Sequence, residues 1–468
     1  MCGVFGVIGT SEAAAELYIA LTHQQHRGQD ASGMAVSDYN GNLSVVREKG
    51  LASEIFDEEK VRSLKGMMGI SHNRYPTAGF GDVKECQPFF VEESGVSLAF
   101  NGNIVNYPNL KKKMEAEGKK FLSHSDGELL LYVFAEEYNK NGFMSAVKLC
   151  QEKLIGGYAV VGMISGKGIF AFKDPNGIRP LLFGKRNGSS YGFASESIAL
   201  SIEGYSEIRD LKAGEAIFVS KDLKVEDKVC VAREKTPCIF EYVYFSTVES
   251  KLEGIPIYDV RRRLGSKLAE RLKKEHPNLE IDVVIPVPDT SRPAADSLAK
   301  TLGKPFEEGL VKNRYIGRTF IMPTQKVREN ALRLKLKPIE SVIRGKNVLV
   351  VDDSIVRGTT SKRIVQLLRD YGAKKVYLVS TYPPIRHPCV YGIDFTNEKE
   401  LVAYNRTVDE IKKEIGADEL IYMDPKDLKE AVGLPSVCMA CVTGEYPTPT
   451  EHAKELQEQR QEDYKRIK

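Results

Sequence analysis

Hydrophobic and polar positions change their rhythm near residue 230. Up to about Cys230, short alternating runs such as Tyr158 to Ile164, Gly168 to Phe172 and Leu181 to Phe183 are broken by Gly, Asn and Asp. That pattern predicts antiparallel sheet with a few helices. From about Tyr258 the order becomes helix, apolar strand, loop, helix. Val260, Leu264, Leu268 and Leu272 recur every four residues along one helical face, and Ile281 to Val287 follows as a continuous strand. Asn347 to Val351 is a second unbroken apolar run. After a polar loop, Ile364, Leu367, Leu368 and Tyr371 form another helical stripe closed by Gly372, and Val376 to Ser380 supplies the next strand. A strand, crossover helix and strand of this length is a βαβ unit, so the second half should carry a parallel sheet with its ligand at the carboxyl ends of the strands. Two domains follow, residues 2–230 and 231–468, with Glu451 to Lys468 read as a charged helix or frayed tail.

The 468 residues are enough to bury real cores, and the formal net charge of +3 is mixed along the chain. Neither nucleic acid nor an acidic membrane is implied as a partner. No apolar run approaches the ~18 residues that span a bilayer. The N-terminus lacks a basic region and meets Glu12 too soon for a signal peptide, so a cytoplasmic protein is expected. Eight scattered cysteines are too sparse for a disulfide scaffold, which directs attention to catalytic or metal roles for any that cluster.

Cys2 precedes Gly3, and initiator Met is normally removed before a small residue. A mature N-terminal Cys would hold both a thiol and an α-amine able to take its proton. Further segments accompany it: Gln25-His26-Arg27-Gly28-Gln29-Asp30, Ser71-His72-Asn73-Arg74-Tyr75-Pro76-Thr77, Phe100-Asn101-Gly102-Asn103 and Ser125-Asp126-Gly127-Glu128. Together these resemble the class II, N-terminal-nucleophile glutamine amidotransferases, which have an αββα sandwich. The resemblance implies an oxyanion hole from the Asn101 amide and the Gly102 N–H. It also implies that Arg74 binds the glutamine α-carboxylate and that Asp126 binds its α-ammonium.

In the second half, Val348-Leu349-Val350-Val351-Asp352-Asp353-Ser354-Ile355-Val356-Arg357-Gly358-Thr359-Thr360-Ser361 runs from buried strand through loop into helix. Adjacent carboxylates can accept from vicinal hydroxyls, while the Gly-Thr-Thr-Ser stretch offers N–H groups and a helix N-terminus to a phosphate. The segment resembles the type I phosphoribosyltransferase fingerprint. By that likeness Asp352 and Asp353 hold the ribose hydroxyls of phosphoribosyl pyrophosphate, and Arg357, Gly358, Thr359, Thr360 and Ser361 wrap its 5-phosphate. One magnesium per subunit would bridge the pyrophosphate, with Thr290 of Val287-Pro288-Asp289-Thr290-Ser291-Arg292 joining Asp352 and Asp353 around it. The basic run from Lys312 to Lys337, with Arg314, Arg318, Lys326, Arg328, Arg333 and Lys335, resembles that family's lid.

Cys438-Met439-Ala440-Cys441 is a CxxC, for which zinc or a redox dithiol are the usual readings. With Cys238 and Cys389 it matches the iron–sulfur branch of the glutamine phosphoribosylpyrophosphate amidotransferases. The match implies one [4Fe-4S] cluster per subunit that staples the domain junction without redox duty. Zinc on the four thiolates is the alternative. Cys86, Cys150 and Cys230 match no ligand and read as buried small hydrophobes, and His23, His26, His72 and His124 as packing or scaffold residues. The family resemblance spans Cys2 to about Tyr446, and only Met1 precedes the expected nucleophile, so no self-cleavage is called for. It implies ammonia from glutamine joined to phosphoribosyl pyrophosphate, giving 5-phosphoribosylamine, glutamate and pyrophosphate, the first committed step of purine synthesis. A homotetramer inhibited by purine nucleotides of the AMP, GMP, ADP or GDP class is implied as well. Two rivals are a phosphoribosyl-pyrophosphate-binding regulatory protein and a hexosamine-forming amidotransferase. The first has no use for Cys2, Arg74, Asn101 and Asp126, and the second none for Val348 to Ser361.

Overall fold

The computed structural model describes residues 1–75, 82–186, 189–313, 336–395 and 397–459. Two antiparallel sheets account for the first half. One has seven strands in the order Glu207–Asp210, Leu182–Arg186, Ser190–Ala194, Gly3–Ile8, Met68–Arg74, Ala31–Ser37 and Leu43–Lys49. The other has six, in the order Val225–Val229, Glu215–Ser220, Gly168–Lys173, Gly156–Ile164, Val96–Ile104 and Phe89–Val91. Val4, Ile8, Ile70, Ala99, Val161 and Met163 pack between the sheets. The Ala13–His23 helix covers the outer face of the first, while Asp126–Asn141 and Phe143–Lys153 cover the second, where Phe134 stacks on Phe170 at 4.7 Å. In this αββα layering Gly3–Ile8 and Gly156–Ile164 are buried on both faces, so the run from Tyr158 to Ile164 is apolar throughout rather than alternating.

The second half carries a four-stranded parallel sheet, Val283–Pro286, Asn347–Asp352, Lys375–Ser380 and Glu419–Tyr422 in that spatial order. The expected helices are present as Ile257–Glu275 and Thr359–Asp370, the latter crossing between two neighbouring parallel strands. Asp352 therefore ends a strand whose six residues are all buried, and Asp353 opens the loop beyond it. Gly358 sits at φ +72 just before the Thr359–Asp370 helix, where an added Cβ would lie 2.8 Å from Val402. Glycine meets both demands, a left-handed turn and a tight fit.

One expectation needs correction. Cys230 is half-buried, because it follows the exposed edge strand Val225–Val229. The charged segment from Glu451 is a helix where it is described, over residues 453–459, with Leu456 buried and His452 Nδ1 accepting from Asn109 Nδ2 at 2.9 Å. Arg314, Arg318, Lys326, Arg328, Arg333 and Lys335 of the basic run, and Pro76 and Thr77 of the first-half motif, lie outside the described residues.

Candidate active sites and thiol cluster

Pairing of Gly3–Ile8 with Met68–Arg74, Gly3 opposite Asn73, delivers Cys2 beside the 71–75 motif. Its Sγ lies 3.4 Å from the Tyr75 N–H and 3.7 Å from the Tyr75 carbonyl. Cys2 N–H donates to Asn101 Oδ1 at 3.1 Å, which turns the amide so that Asn101 Nδ2 is buried without a partner among the described residues. A buried donor with nothing to bond is costly unless a ligand or transition state completes it. Gly102, at φ +152, passes so close to the next strand that a Cβ would lie 2.2 Å from the Gly157 carbonyl. Met1 is itself buried, and burial pushes its amino group down to about 5.

Arg74 is buried with its fork on Glu85 at 2.7 Å and Asp30 at 3.3 Å. Asp126 begins the Asp126–Asn141 helix behind its Ser125 N-cap and accepts from the Ile104 N–H at 2.9 Å, on the same strand as Asn101. Cys2, Arg74, Asn101 and Gly102 are thus carried on or beside strands of two packed sheets, and Asp126 by a helix start bonded to the Asn101 strand. His72 is structural: its Nε2 donates to the Phe100 carbonyl at 3.1 Å, and burial, aided by Arg74, pushes it down to about 3.

In the second half the strand end gathers the acidic pair. Burial raises Asp352 well above the usual carboxylate range, helped by the charge of Asp353. Burial likewise pushes Asp353 up to about 6, against hydrogen bonds from Ser354 and Thr290 and the charge of Arg261. Two adjoining carboxyls that resist ionisation alone are suited to a cation or to hydroxyl donors. Thr290 therefore stands within hydrogen-bonding reach of Asp353. Ser361 is buried in the first turn of the Thr359–Asp370 helix, whose N-cap, Gly358, has no side chain to accept from the first-turn N–H groups. Arg357 is drawn aside to Glu400 at 2.9 Å.

Cys238, Cys389, Cys438 and Cys441 are all buried. Residues 238 and 438 form a parallel β-bridge, with Cys438 N–H donating to Pro237 O at 2.8 Å and Ile239 N–H to Cys438 O at 3.2 Å. The Tyr382 hydroxyl lies 3.1 Å from Cys441 Sγ, and Tyr391 N–H donates to Cys389 Sγ at 3.4 Å. Burial pushes the Cys238 thiol up to about 11, and proximity to the other thiols helps raise both Cys438 and Cys441. Four desolvated thiols within electrostatic reach of one another, with donors aimed at sulfur, fit a centre that binds them as thiolates. Among the described residues, no group of three or more His, Cys, Asp or Glu side chains closes to metal-holding distance. Cys86 and Cys150 are buried, as expected.

A junction network was not foreseen. Fully buried Arg27 donates through Nε to the Cys2 carbonyl at 3.0 Å, through Nη1 to Glu196 at 2.7 Å and Glu241 at 3.1 Å, and through Nη2 to Glu241 at 2.9 Å. Arg27 lies inside the Gln25–Asp30 motif, but nothing local in the sequence pairs it with Glu196 or Glu241. On the same border Asn103 Nδ2 donates to the Val390 carbonyl at 2.9 Å, and a Cβ on Gly392 would lie 2.9 Å from the Gly102 carbonyl.

Comparison with known proteins agrees with this arrangement. Residues 72–201 match the glutamine amidotransferase domain and residues 259–405 the phosphoribosyl transferase domain. An amidophosphoribosyltransferase from Pseudomonas aeruginosa is 47% identical over 447 residues, covering 92% of this chain and 89% of its own. The chain belongs to the amidophosphoribosyltransferase family. The Escherichia coli and Saccharomyces cerevisiae amidophosphoribosyltransferases are 45% and 43% identical, over 92% and 98% of this chain and 88% and 96% of theirs. A glutamine phosphoribosylpyrophosphate amidotransferase from B. subtilis, complexed with ADP and GMP, superposes with a TM-score of 0.88 at 38% identity, over 96% of this chain and 98% of that one. The chain is therefore a transferase of the first step of purine biosynthesis, with a glutamine amidotransferase half and a phosphoribosyltransferase half. Neither the sensor nor the hexosamine reading accounts for both halves. Among the described residues no helix is long and apolar enough to cross a membrane.

Proposed function

We propose a division of labour between the two halves. Cys2, as the mature N-terminus, attacks the glutamine amide carbon through Sγ, its own α-amine taking the thiol proton. Negative charge grows on the former carbonyl oxygen, where Asn101 Nδ2 and the Gly102 N–H stabilise it. Collapse, with the thiol proton passed from the α-amine to the leaving nitrogen, releases ammonia and leaves a thioester, which water hydrolyses to glutamate and the free Cys2 thiol. Arg74 holds the substrate α-carboxylate, sharing its fork with Glu85 and Asp30, and Asp126 holds the α-ammonium. The observation that carries this reading is the buried, unpartnered Asn101 Nδ2 beside Cys2.

At the second site Asp352 and Asp353 accept from the ribose hydroxyls of phosphoribosyl pyrophosphate. Arg357, Gly358, Thr359, Thr360 and Ser361 receive the 5-phosphate at a helix N-terminus. Thr290, Asp352 and Asp353 are the residues to hold magnesium, which when bound neutralises pyrophosphate charge. Ammonia displaces pyrophosphate at C1, giving 5-phosphoribosylamine. Cys238, Cys389, Cys438 and Cys441 are the residues to hold a [4Fe-4S] cluster, one thiolate per iron, and its part here is to tie the border segments together. A cytoplasmic homotetramer inhibited by purine nucleotides completes the reading, supported for the nucleotides by the ADP and GMP in the B. subtilis neighbour.

The test is anaerobic purification followed by assay of pyrophosphate release from phosphoribosyl pyrophosphate, magnesium and glutamine, with iron and sulfide measured on the same sample. Turnover with about four iron and four sulfide per chain is expected. Turnover with zinc would discard the cluster alone, and no turnover in a folded, iron-loaded sample would overturn the division of labour.

A further inference from the structure

We propose that Glu241, acting through Arg27, positions the Cys2 nucleophile, so that a residue of the second domain completes the glutaminase site. This rests on Cys2 being the glutaminase nucleophile. Apart from strand pairing, two contacts among the described residues fix the Cys2 backbone: its N–H to Asn101 Oδ1 and its carbonyl to Arg27 Nε. The second depends on how the guanidinium plane is set. Glu196 contacts Arg27 through Oε1, which it also shares with His26 at 2.7 Å, while Oε2 is taken by Thr247 N–H and the Ser250 hydroxyl, each at 2.9 Å. A single shared oxygen leaves the guanidinium free to roll.

Glu241 removes that freedom, because its two oxygens accept from Nη1 and Nη2 together, and a bidentate pair fixes plane as well as distance. The plane is what aims Nε–H at the Cys2 carbonyl. Glu241 in turn is set by the second domain: its N–H donates to the carbonyl of Cys238, and Cys238 N–H donates to Ile178 across the border. The oxyanion strand is braced from the same side, through Asn103 and the Val390 carbonyl next to Cys389. Nucleophile and oxyanion donors are thereby held by segments that contain thiol ligands, and the device confines glutamine hydrolysis to a chain whose acceptor domain is docked.

The experiment uses the full-length, cluster-loaded enzyme with an N-terminal Cys2 confirmed by mass, comparing wild type with Glu241→Gln, Glu241→Asp and Arg27→Lys. Four readouts are taken: glutaminase kcat and KM, the rate of Cys2 alkylation by iodoacetamide, ammonia-dependent pyrophosphate release, and iron content. Glu241→Gln is expected to lower kcat and the alkylation rate about tenfold to a hundredfold, the cost of a misplaced reacting group, with KM within about twofold. Ammonia-dependent release and iron content stay at the wild-type level. Glu241→Asp recovers part of the loss, and Arg27→Lys, which keeps the charge without the fork, reproduces it. Wild-type glutaminase in Glu241→Gln overturns the proposal, as does a loss that tracks iron content or ammonia-dependent release. If Glu241→Gln does not fold, Arg27→Lys decides by the same readouts. A wild-type enzyme that releases no glutamate overturns the Cys2 reading itself, a result distinct from any variant effect.

Discussion

Replacing Asn101 with alanine isolates one term in the glutaminase barrier. In the resting structure Asn101 Nδ2 has no partner among the described residues, while Oδ1 accepts from Cys2 N–H at 3.1 Å. Removing the amide therefore costs the ground state one neutral hydrogen bond, about 0.5–1.5 kcal/mol, and relieves a buried unsatisfied donor. The transition state loses more, because the orphan donor finds its partner only when the oxyanion forms. Loss of one such donor is worth about 2.7–4 kcal/mol, a fall of 10²–10³ in kcat. Because the interaction is absent from the ground state, kcat and kcat/KM should fall together, leaving KM nearly unchanged. Glutamate release at saturating and limiting glutamine measures both constants, and ammonia-dependent pyrophosphate release reports on the second site. A fall of less than about fivefold in kcat with a raised KM would refute the oxyanion assignment and make Asn101 a substrate-binding residue. Equal loss of the ammonia-dependent reaction would show instead that the change had disturbed the border with the second domain.

Other perturbations separate the sites. Cys2→Ala should abolish glutamine-dependent synthesis and leave the ammonia-dependent reaction, and loss of both in a folded sample contradicts the two-site scheme. Asp353→Asn should do the reverse, sparing basal glutaminase while removing phosphoribosyl transfer. Gly102→Ala must place a Cβ 2.2 Å from the Gly157 carbonyl, so glutaminase should collapse with a lowered unfolding midpoint; normal glutaminase at normal stability dismisses the close approach. Burial holds His72 down to about 3, below its unfolded value near 6.5, so its contribution is complete above about pH 6.5 and is lost as pH falls toward 3. Between pH 7 and 5 this one ring should cost about 2 kcal/mol, a loss absent from His72→Gln in denaturant unfolding of the glutaminase half.

The residues that sequence made legible are those whose signal is local. Val260, Leu264, Leu268 and Leu272 share a helical face because four residues nearly complete a turn, and all four are buried in the Ile257–Glu275 helix. Asn347 to Val351 reads as a strand buried on both faces, and is one. The acidic pair follows directly from where that strand stops. The Arg27 network had no such signature, since Glu196 and Glu241 stand 169 and 214 residues away along the chain. Tyr382 was equally silent: nothing in its neighbours announces a hydroxyl 3.1 Å from Cys441. Cys230 misled because burial follows hydrophobicity only where a second layer covers the strand, and Val225–Val229 lies at a sheet edge.

Gly102 and Gly392 meet across the domain border with no room for a side chain on Gly392. Such a contact makes the two halves poor candidates for exchange. A chimaera cut near residue 230, taking its glutaminase half from one relative and its transferase half from another, would inherit two surfaces that must match at backbone distance. The strand carrying Asn101 and the segment carrying Cys389 would have to travel together although nearly 290 residues separate them, Asn103 and Val390 being 287 apart. The unit of inheritance here is therefore the seam, and domains that look separable along the chain are constrained to drift as a pair.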